Sequence, residues 1–198
     1  MAPRTQALAL NALVFVYRDV LLKPLTLNLN FNKSSAPTKL PVVLTKQEIK
    51  TFFDHLPPKM VLPCQLMYGS GLRLMEVVRL RVQNIDFYYV SLQVWQGKGG
   101  KNRRVTLAKE LLSSLKVQIA KAASFVNQDL KNTEYGGVWL PYALAKKYPN
   151  AQKQLGWHYL FPSNRLSNDP DSGALRRHHI DHSSIQKSVR STAQKAKI

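Results

Sequence analysis

Apolar residues recur at helical spacing in several parts of the chain. The first such segment covers residues 7–22. A second begins at Thr45, where Glu48 stands three residues on, as a capping box requires, and ends at the Pro57–Pro58 pair. The same spacing predicts further helices over residues 60–69, immediately after Arg73, over 108–130 and over 142–147, and helix-like sequence returns from Ser184 to the last residue.

Three short segments have the pattern of strands, over residues 85–89, 92–96 and 103–107. The last two are separated by a glycine-rich stretch of the kind that tolerates positive φ in a hairpin turn. Together with the helical segments, these strands predict an α+β fold that is mainly helical and contains a small antiparallel sheet.

The irregular segment over residues 23–40 predicts a linker. It contains Pro24, several asparagines and the stretch SSAPTKLP, a composition that favours neither helix nor strand. We therefore expect a boundary there, with residues 1–22 belonging to one domain and residues 41–198 to another.

The charge balance indicates a nucleic-acid partner. Lysine and arginine number 29 against 11 aspartates and glutamates, a formal net charge of +18. Such an excess favours polyanions through counterion release, and here it is spread along the chain instead of being confined to a tail. Ribosomal and histone-like proteins share this balance, but a hydrophobic content of 44% implies a larger buried core than a basic tail protein has.

The sequence gives little support for a disulfide, a membrane segment or a metal site. Cys64 is the single cysteine, so no disulfide forms within the chain and a reducing cytoplasm is expected. The apolar stretch from Ala7 to Tyr17 contains Asn11, is too short to span a bilayer, and is followed by no cleavage site, so no membrane association is predicted. His178, His179 and His182 lack a nearby set of acidic partners, and the single cysteine is distant in the sequence, so neither a metal nor another cofactor is expected.

Arg73 is the first candidate for chemistry. Gly69 and Gly71 give the backbone freedom just before it, and its guanidinium at a helix start could donate two hydrogen bonds to phosphate oxygens. Glu76, one helical turn later, could hold that guanidinium in one orientation. An arginine and a glutamate at this spacing are, taken alone, more often a solvated ion pair.

Lys98 is the second candidate, in the glycine-rich turn of the predicted hairpin. An ammonium at a hairpin tip could donate a proton to a leaving oxygen, while Lys101, Arg103 and Arg104 supply charge toward a phosphate backbone. A lysine-rich hairpin is by itself more often only solubilising. A phosphate-binding loop of NTPases is disfavoured, because GKGGKN lacks that motif's spacing and the Ser or Thr after its lysine.

Taken together, YGSGLRLMEVVRL and WQGKGGKNRRVTL resemble two motifs of the tyrosine recombinases. That family carries an arginine in a G-x-R-x-x-E motif and a lysine in a later β-hairpin. The resemblance implies that Arg73 clamps the scissile phosphate, that Glu76 supports it, and that Lys98 is the general acid for the departing 5′ oxygen. It also implies DNA as substrate and a homo-oligomer assembled on DNA.

The segment 134–179 offers surfaces for an unpaired base. Trp157 has a large π-face, while Pro170, His178 and His179 are flat or polar and stand beside Arg176 and Arg177. The alternative for Trp157 is a position in the core, and for the histidines a solvated loop tip. LPYALAKKYPNA, then WHYLFPS and RRHH, resembles the insertion of integron integrases, which captures bases flipped out of folded single-stranded hairpin sites. This resemblance implies that Trp157 stacks on one base and that Pro170, His178 and His179 contact another.

Two elements of the family pattern do not occur in these 198 residues. No H-x-x-R spacing is present, and Tyr159 is the last tyrosine, whereas the family uses a second arginine and a tyrosine nucleophile near its C-terminus. Residues 1–22 would correspond to the last helix of the family's preceding DNA-clamping domain. We therefore expect a fragment that binds DNA but is inactive alone. The alternative is a non-catalytic basic protein that recognises hairpin DNA, and a basic scaffold unrelated to recombination is disfavoured.

Overall fold

The computed structural model describes residues 3–23, 25, 42–95, 97 and 100–198. The chain divides into two units, Met1–Val43 and Leu44–Ile198. In the first unit, α1 spans Pro3–Phe15 and continues into a π-helical turn over Val16–Val20. The predicted first helix is therefore confirmed, although it begins earlier. Most of the predicted linker lies outside the described residues.

The second unit begins with helices whose ends follow from local chemistry. Helix α2 is Lys46–His55, and its predicted capping box is present, because the backbone N–H of Glu48 donates to Thr45 Oγ1 (3.3 Å) and that of Thr45 to Glu48 Oε2 (2.7 Å). Helix α3, Pro58–Ser70, starts on a proline. Gly71 follows its last residue and terminates the helix with a left-handed φ of 60°. Helix α4, Leu74–Val78, follows directly.

A three-stranded antiparallel sheet confirms the predicted strands in shorter form. Its strands are β1 (Ile85–Asp86), β2 (Ser91–Val94) and β3 (Arg103–Thr106), in the order β1-β2-β3. Leu92 pairs with Val105 and Gln93 with Arg104, so one sheet face packs into the core and the other faces solvent. Residues 87–89, expected to extend β1, instead form a turn that also includes Val90.

Helix α5, Leu112–Asp129, follows a 3-10 turn, and α6 covers Tyr142–Lys147, as predicted. Sequence patterning missed a hairpin in the segment 134–179, formed by β4 (Pro162–Asn168) and β5 (Leu175–His179). Its strands carry polar residues on both faces and lack the apolar alternation that marks a half-buried strand. Helix α7, His182–Lys195, follows the β4–β5 hairpin.

Three groups of buried apolar residues hold the second unit together. The largest joins α3, α4, the sheet and α5 through residues such as Leu66, Val77, Leu92 and Leu115. A second lies among α2, α3 and α7, where burial raises the pKa of the Cys64 thiol to about 11, as expected for a packing residue. The third belongs to the segment 134–179 and consists of Val138, Leu140, Ala151 and Tyr159.

Candidate nucleic-acid interface

Arg73 lies immediately before α4, at the turn that Gly71 makes possible. Its Nη1 donates to Glu76 Oε1 (3.0 Å), and its side chain remains 56% exposed. The backbone N–H of Arg73 also donates to Glu76 Oε2 (2.8 Å). The guanidinium is therefore oriented from one side and open to solvent on another, the arrangement that a phosphate clamp needs.

Glu76 is held by a second arginine, Arg103, which the sequence predicts to face a phosphate backbone. Arg103 Nη1 and Nη2 each donate to one Glu76 carboxylate oxygen at 2.7 Å. These bonds, helped by those from Arg73, lower the pKa of Glu76 to about 2 although desolvation opposes the shift. Glu76 is therefore an anion at neutral pH and cannot act as a proton donor there.

The β2–β3 turn approaches the same carboxylate. At Gly97, a Cβ would stand 2.9 Å from Arg103 Nη1 and 3.2 Å from Glu76 Oε1, so a side chain there would crowd this ion pair. The Gly97 N–H donates to the carbonyl of Lys101 (2.9 Å). Lys98 lies outside the described residues. The described part of the turn thus passes beside the Glu76–Arg103 pair.

The remaining basic residues of the hairpin differ in direction. Lys101 is exposed. Arg104 is the neighbour of Arg103 in β3, and because side chains alternate along a strand it lies on the opposite, solvent-facing side of the sheet. There it stands 5.4 Å from the ring of Tyr89 and 3.9 Å from Asp86. Arg104 is therefore not part of the cluster around Glu76.

Trp157 lies at the edge of a shallow cavity of about 220 Å³. Tyr148 forms another wall, with its ring centroid 6.1 Å from that of Trp157 and the planes tilted by 33°. Lys147 also lines the cavity and holds its ammonium 5.3 Å from the Tyr148 ring. Two aromatic rings and a cation at one opening match the chemistry of a base beside its phosphate.

Arg81 holds the backbone next to this cavity, a role that the sequence does not predict. Its Nη1 donates to the carbonyl of Trp157 and its Nη2 to that of Trp139 (3.0 Å), while the guanidinium lies 4.8 Å from the Tyr159 ring. No local signal could have revealed this, because the partners are 58 and 76 residues away in the sequence. Burial lowers the pKa of Arg81, against the opposing effect of Tyr159.

His178 and His179 pack together against the buried Tyr159. Their ring centroids are 3.9 Å apart, and they lie 5.3 and 5.1 Å from the Tyr159 ring. Burial is the main cause that lowers the pKa of both, to about 4 for His179, whose Nδ1 also contacts the Ile180 carbonyl (2.6 Å). His179 is therefore neutral at pH 7, and His178 is shifted in the same direction.

Pro170 is exposed in the turn of the β4–β5 hairpin, whereas His179 pairs with Pro162 at the opposite end. The five residues from Leu175 to His179 are four steps along the strand and alone span about 13 Å. The structure therefore does not bring Pro170 and the two histidines together, although the resemblance implied that they contact the same base.

Arg176 and Arg177 are turned inward. The guanidinium of Arg176 donates to Asp169 (3.1 Å) and to the carbonyl of Gly136 (2.8 Å). Arg177 is buried, and its three nitrogens donate to both carboxylate oxygens of Asp129 (2.5 and 2.6 Å) and to the Ser163 carbonyl (2.7 Å). This placement gives no support to the predicted DNA contacts, because the donors are already used within the protein.

Within the described ranges, no group of three or more His, Cys, Asp and Glu side chains could hold a metal ion. The same ranges contain no helix with the length and apolar content that a membrane span needs.

Residues 42–198 match the model of the Phage integrase family. Two curated proteins described as Integrase/recombinase, from Escherichia coli and Pseudomonas aeruginosa, are each 35% identical over 194 residues, which are 98% of this chain and 57% of the relative. Tyrosine recombinase XerA of Pyrococcus furiosus is 31% identical over 120 residues, 57% of this chain and 42% of that protein.

A crystal structure of XerA recombinase has a TM-score of 0.49 and 23% identity, covering 100% of this chain and 56% of that one. The chain thus spans little more than half the length of the first two curated relatives. The family match covers all but the first 41 residues, and the relatives from both bacteria align along nearly the whole chain. The chain therefore belongs to the phage integrase family, the tyrosine recombinases.

Proposed function

We propose that these 198 residues form a DNA-holding portion of an integron-type tyrosine recombinase. The observation that carries the proposal is the side chain of Arg73, oriented by Glu76 yet 56% exposed. A guanidinium in this state can donate two parallel hydrogen bonds to the non-bridging oxygens of a phosphodiester. The net charge of +18 favours the same partner over any uncharged one.

Within this proposal, Glu76 is a positioning residue and Lys98 the general acid. Glu76 stays ionised because Arg103 and Arg73 lower its pKa to about 2, so its part is to orient Arg73. The approach of Gly97 to Glu76 supports the assignment of Lys98, which follows Gly97 directly in the sequence. Lys101 is proposed to add charge beside the phosphate.

We propose further that these residues alone do not cleave DNA. Cleavage by a tyrosine recombinase needs a tyrosine oxygen to attack the phosphate, which Arg73 would hold here. Tyr159 is the last tyrosine of the sequence, is only 5% exposed, and has a pKa raised by burial, so its hydroxyl is a poor nucleophile. Tyr135 is buried too, and its hydroxyl is hydrogen-bonded to His158 Nε2 (3.0 Å).

The integron type is proposed from the cavity at Trp157. An extrahelical base could stack on the Trp157 ring beside Tyr148, with Lys147 near the phosphate. His178 and His179 would contact a second base, His179 as a neutral ring, and Pro170, at the far end of the hairpin, would contact a separate nucleotide. Arg176 and Arg177 are left out of this interface. The protein would act in the cytoplasm, and assembly of several copies on DNA is part of the proposal.

The stacking part is tested with two DNAs of equal length, one a hairpin with extrahelical bases and one fully paired. Trp157→Ala should weaken hairpin binding by about 5- to 150-fold and leave duplex binding unchanged, since stacking contributes about 1–3 kcal/mol per base. Trp157→Phe should retain most of the preference. Equal losses on both DNAs would contradict the proposed stacking.

The phosphate-holding part is tested at Arg73. Arg73→Ala should weaken binding to hairpin and duplex alike, and Arg73→Lys should restore part of the affinity, because lysine keeps the charge but loses the two-pronged geometry. A nicked suicide substrate carrying a hairpin site should give no covalent adduct with the wild-type chain. Recovery of a protein–DNA adduct would overturn the proposed inactivity.

A further inference from the structure

The turn between β1 and β2 places three consecutive aromatic side chains at the surface. Phe87 is 37% exposed, Tyr88 87% and Tyr89 65%. Turns favour glycine, asparagine, aspartate and proline for conformational reasons, so turn formation does not require these aromatic residues. Clustered exposed aromatics are instead typical of surfaces that bind a partner. We name residues 87–89, with Arg104 and Lys116 beside them, the aromatic turn.

The backbone of the aromatic turn is fixed from both ends. Asp86 Oδ1 accepts hydrogen bonds from the backbone N–H groups of Tyr88 (3.1 Å) and Tyr89 (2.9 Å). Val90 has a φ of 48°, which a β-branched residue rarely adopts, and its carbonyl accepts from the Leu107 N–H (3.0 Å). The rings are therefore presented by a preorganised backbone, which lowers the entropic cost of binding.

Two cations flank the rings. The Arg104 guanidinium lies 5.4 Å from the Tyr89 ring, and the Lys116 ammonium 5.9 Å from the Phe87 ring. Tyr88 and Tyr89 meet edge to face, with centroids 4.9 Å apart and planes at 88°. The Tyr88 ring is thus held by its neighbour while most of its surface stays open.

The aromatic turn is distinct from the cluster around Glu76. Arg103 and Arg104 are successive residues of β3, so their side chains leave opposite faces of the sheet. Arg103 reaches Glu76 on the inner side, and Arg104 reaches Asp86 and Tyr89 on the outer side. A ligand of the aromatic turn therefore meets a different face of the sheet from a phosphate held by Arg73.

We propose that the aromatic turn binds an unpaired base of single-stranded DNA, with the base stacked on Tyr88 and the adjoining phosphates near Arg104 and Lys116. Stacking on an exposed ring requires a free base face, which a paired duplex does not offer. The flanking cations and the net charge of +18 favour a polyanion over a neutral or basic protein surface. This inference rests on the proposed DNA binding and adds a second stacking site to it.

The test measures binding of labelled oligo(dT) of about 12 nucleotides and of a duplex of equal length by fluorescence anisotropy. Tyr88→Ala should weaken oligo(dT) binding by about 5- to 150-fold without changing duplex binding. Tyr88→Phe should bind like the wild type, because it keeps the ring.

A photocrosslink assigns the site independently of affinity. Oligo(dT) carrying one 5-iodouracil should crosslink within residues 87–89, also in a Trp157→Ala background where the other proposed stacking site is lost. Crosslinks found only elsewhere, or no selective effect of Tyr88→Ala, would overturn the inference. A loss of self-association on Tyr88→Ala, measured without DNA by sedimentation, would also overturn it and assign the turn to a protein contact. If the wild type bound none of the DNAs, the proposed function itself would fail.

Discussion

Arginines that are adjacent in the sequence have different tasks in this molecule. Arg103 donates two 2.7 Å hydrogen bonds to a carboxylate that is 9% exposed, while Arg104 stands on the opposite face in contact with solvent. A sequence pattern records both as positive charge. Their tasks differ because alternation in β3 directs one inward, toward a residue 27 positions earlier in the chain.

This difference predicts unequal effects on stability. Arg103→Met should lower the free energy of unfolding by about 1.5–3 kcal/mol, since it removes charge-assisted bonds from a mostly buried carboxylate. Arg104→Met should cost less than about 1 kcal/mol, because its ion pair is exposed and 3.9 Å long. Urea unfolding of both variants measures the difference. Equal costs would contradict the role assigned to Arg103.

His179 predicts a pH dependence at the same scale. Its folded pKa of about 4 lies below the ordinary value of 6.5, so the unfolded chain binds more protons between these values. The free energy of unfolding should therefore fall as pH decreases from about 6.5 to about 4. Below that range this residue should cause no further loss.

The measurement is the melting temperature across this pH range. His179→Gln should reduce the dependence, because glutamine does not titrate. An unchanged slope in His179→Gln would show that other groups carry the effect.

At the scale of secondary-structure elements, buried polar contacts fix the β4–β5 hairpin to its surroundings. Arg177 of β5 pairs with Asp129, the last residue of α5, where the side chains are 7% and 2% exposed. Arg177 also lies 4.5 Å from the ring of Phe125 on the same helix. Arg176 ties the hairpin to residues 136 and 137. The orientation of the hairpin, and hence of His178 and His179, follows from these two arginines.

Removal of one member of the buried pair should be costly. Arg177→Met is expected to lower the free energy of unfolding by about 3–5 kcal/mol, because it leaves the Asp129 carboxylate buried without a counter-charge. The double variant Arg177→Met/Asp129→Leu should be less destabilised than the single one. Arg18→Met, which breaks the exposed pair with Asp19, should cost the least of the three. Chemical denaturation of the three variants checks this order.

At the scale of the whole molecule, the sequence pattern predicts helices and strands better than it predicts contacts between distant residues. Helices α2, α3 and α6 and the three-stranded sheet followed from capping, proline positions and apolar spacing. The β4–β5 hairpin did not, because its strands carry polar residues on both faces. Arg73 and Glu76 form the predicted pair, since their contact is local. The Arg81 and Arg177 contacts could not be predicted, because their partners are far away in the sequence.

The net charge predicts a steep salt dependence of duplex binding. Neutralising about six phosphates would give a slope near −5 in a plot of log K against log salt concentration, a loss of about 10³ in affinity between 50 and 200 mM salt. Trp157→Ala should leave this slope unchanged, since stacking releases no counterions. Titrations at four salt concentrations measure it, and a flat dependence would contradict binding through the phosphate backbone.

The contacts of Arg81 have a consequence for how the segment 134–179 could be separated from the rest. Arg81 forms a β-bridge with Tyr159, the Val82 N–H donates to the His158 carbonyl, and the Leu160 N–H donates to the Leu80 carbonyl. Leu160 itself is fully buried in the main core. This segment is therefore not a detachable module: amide hydrogens at residues 82 and 160 should exchange together, and excising the segment would open the core along with the cavity at Trp157.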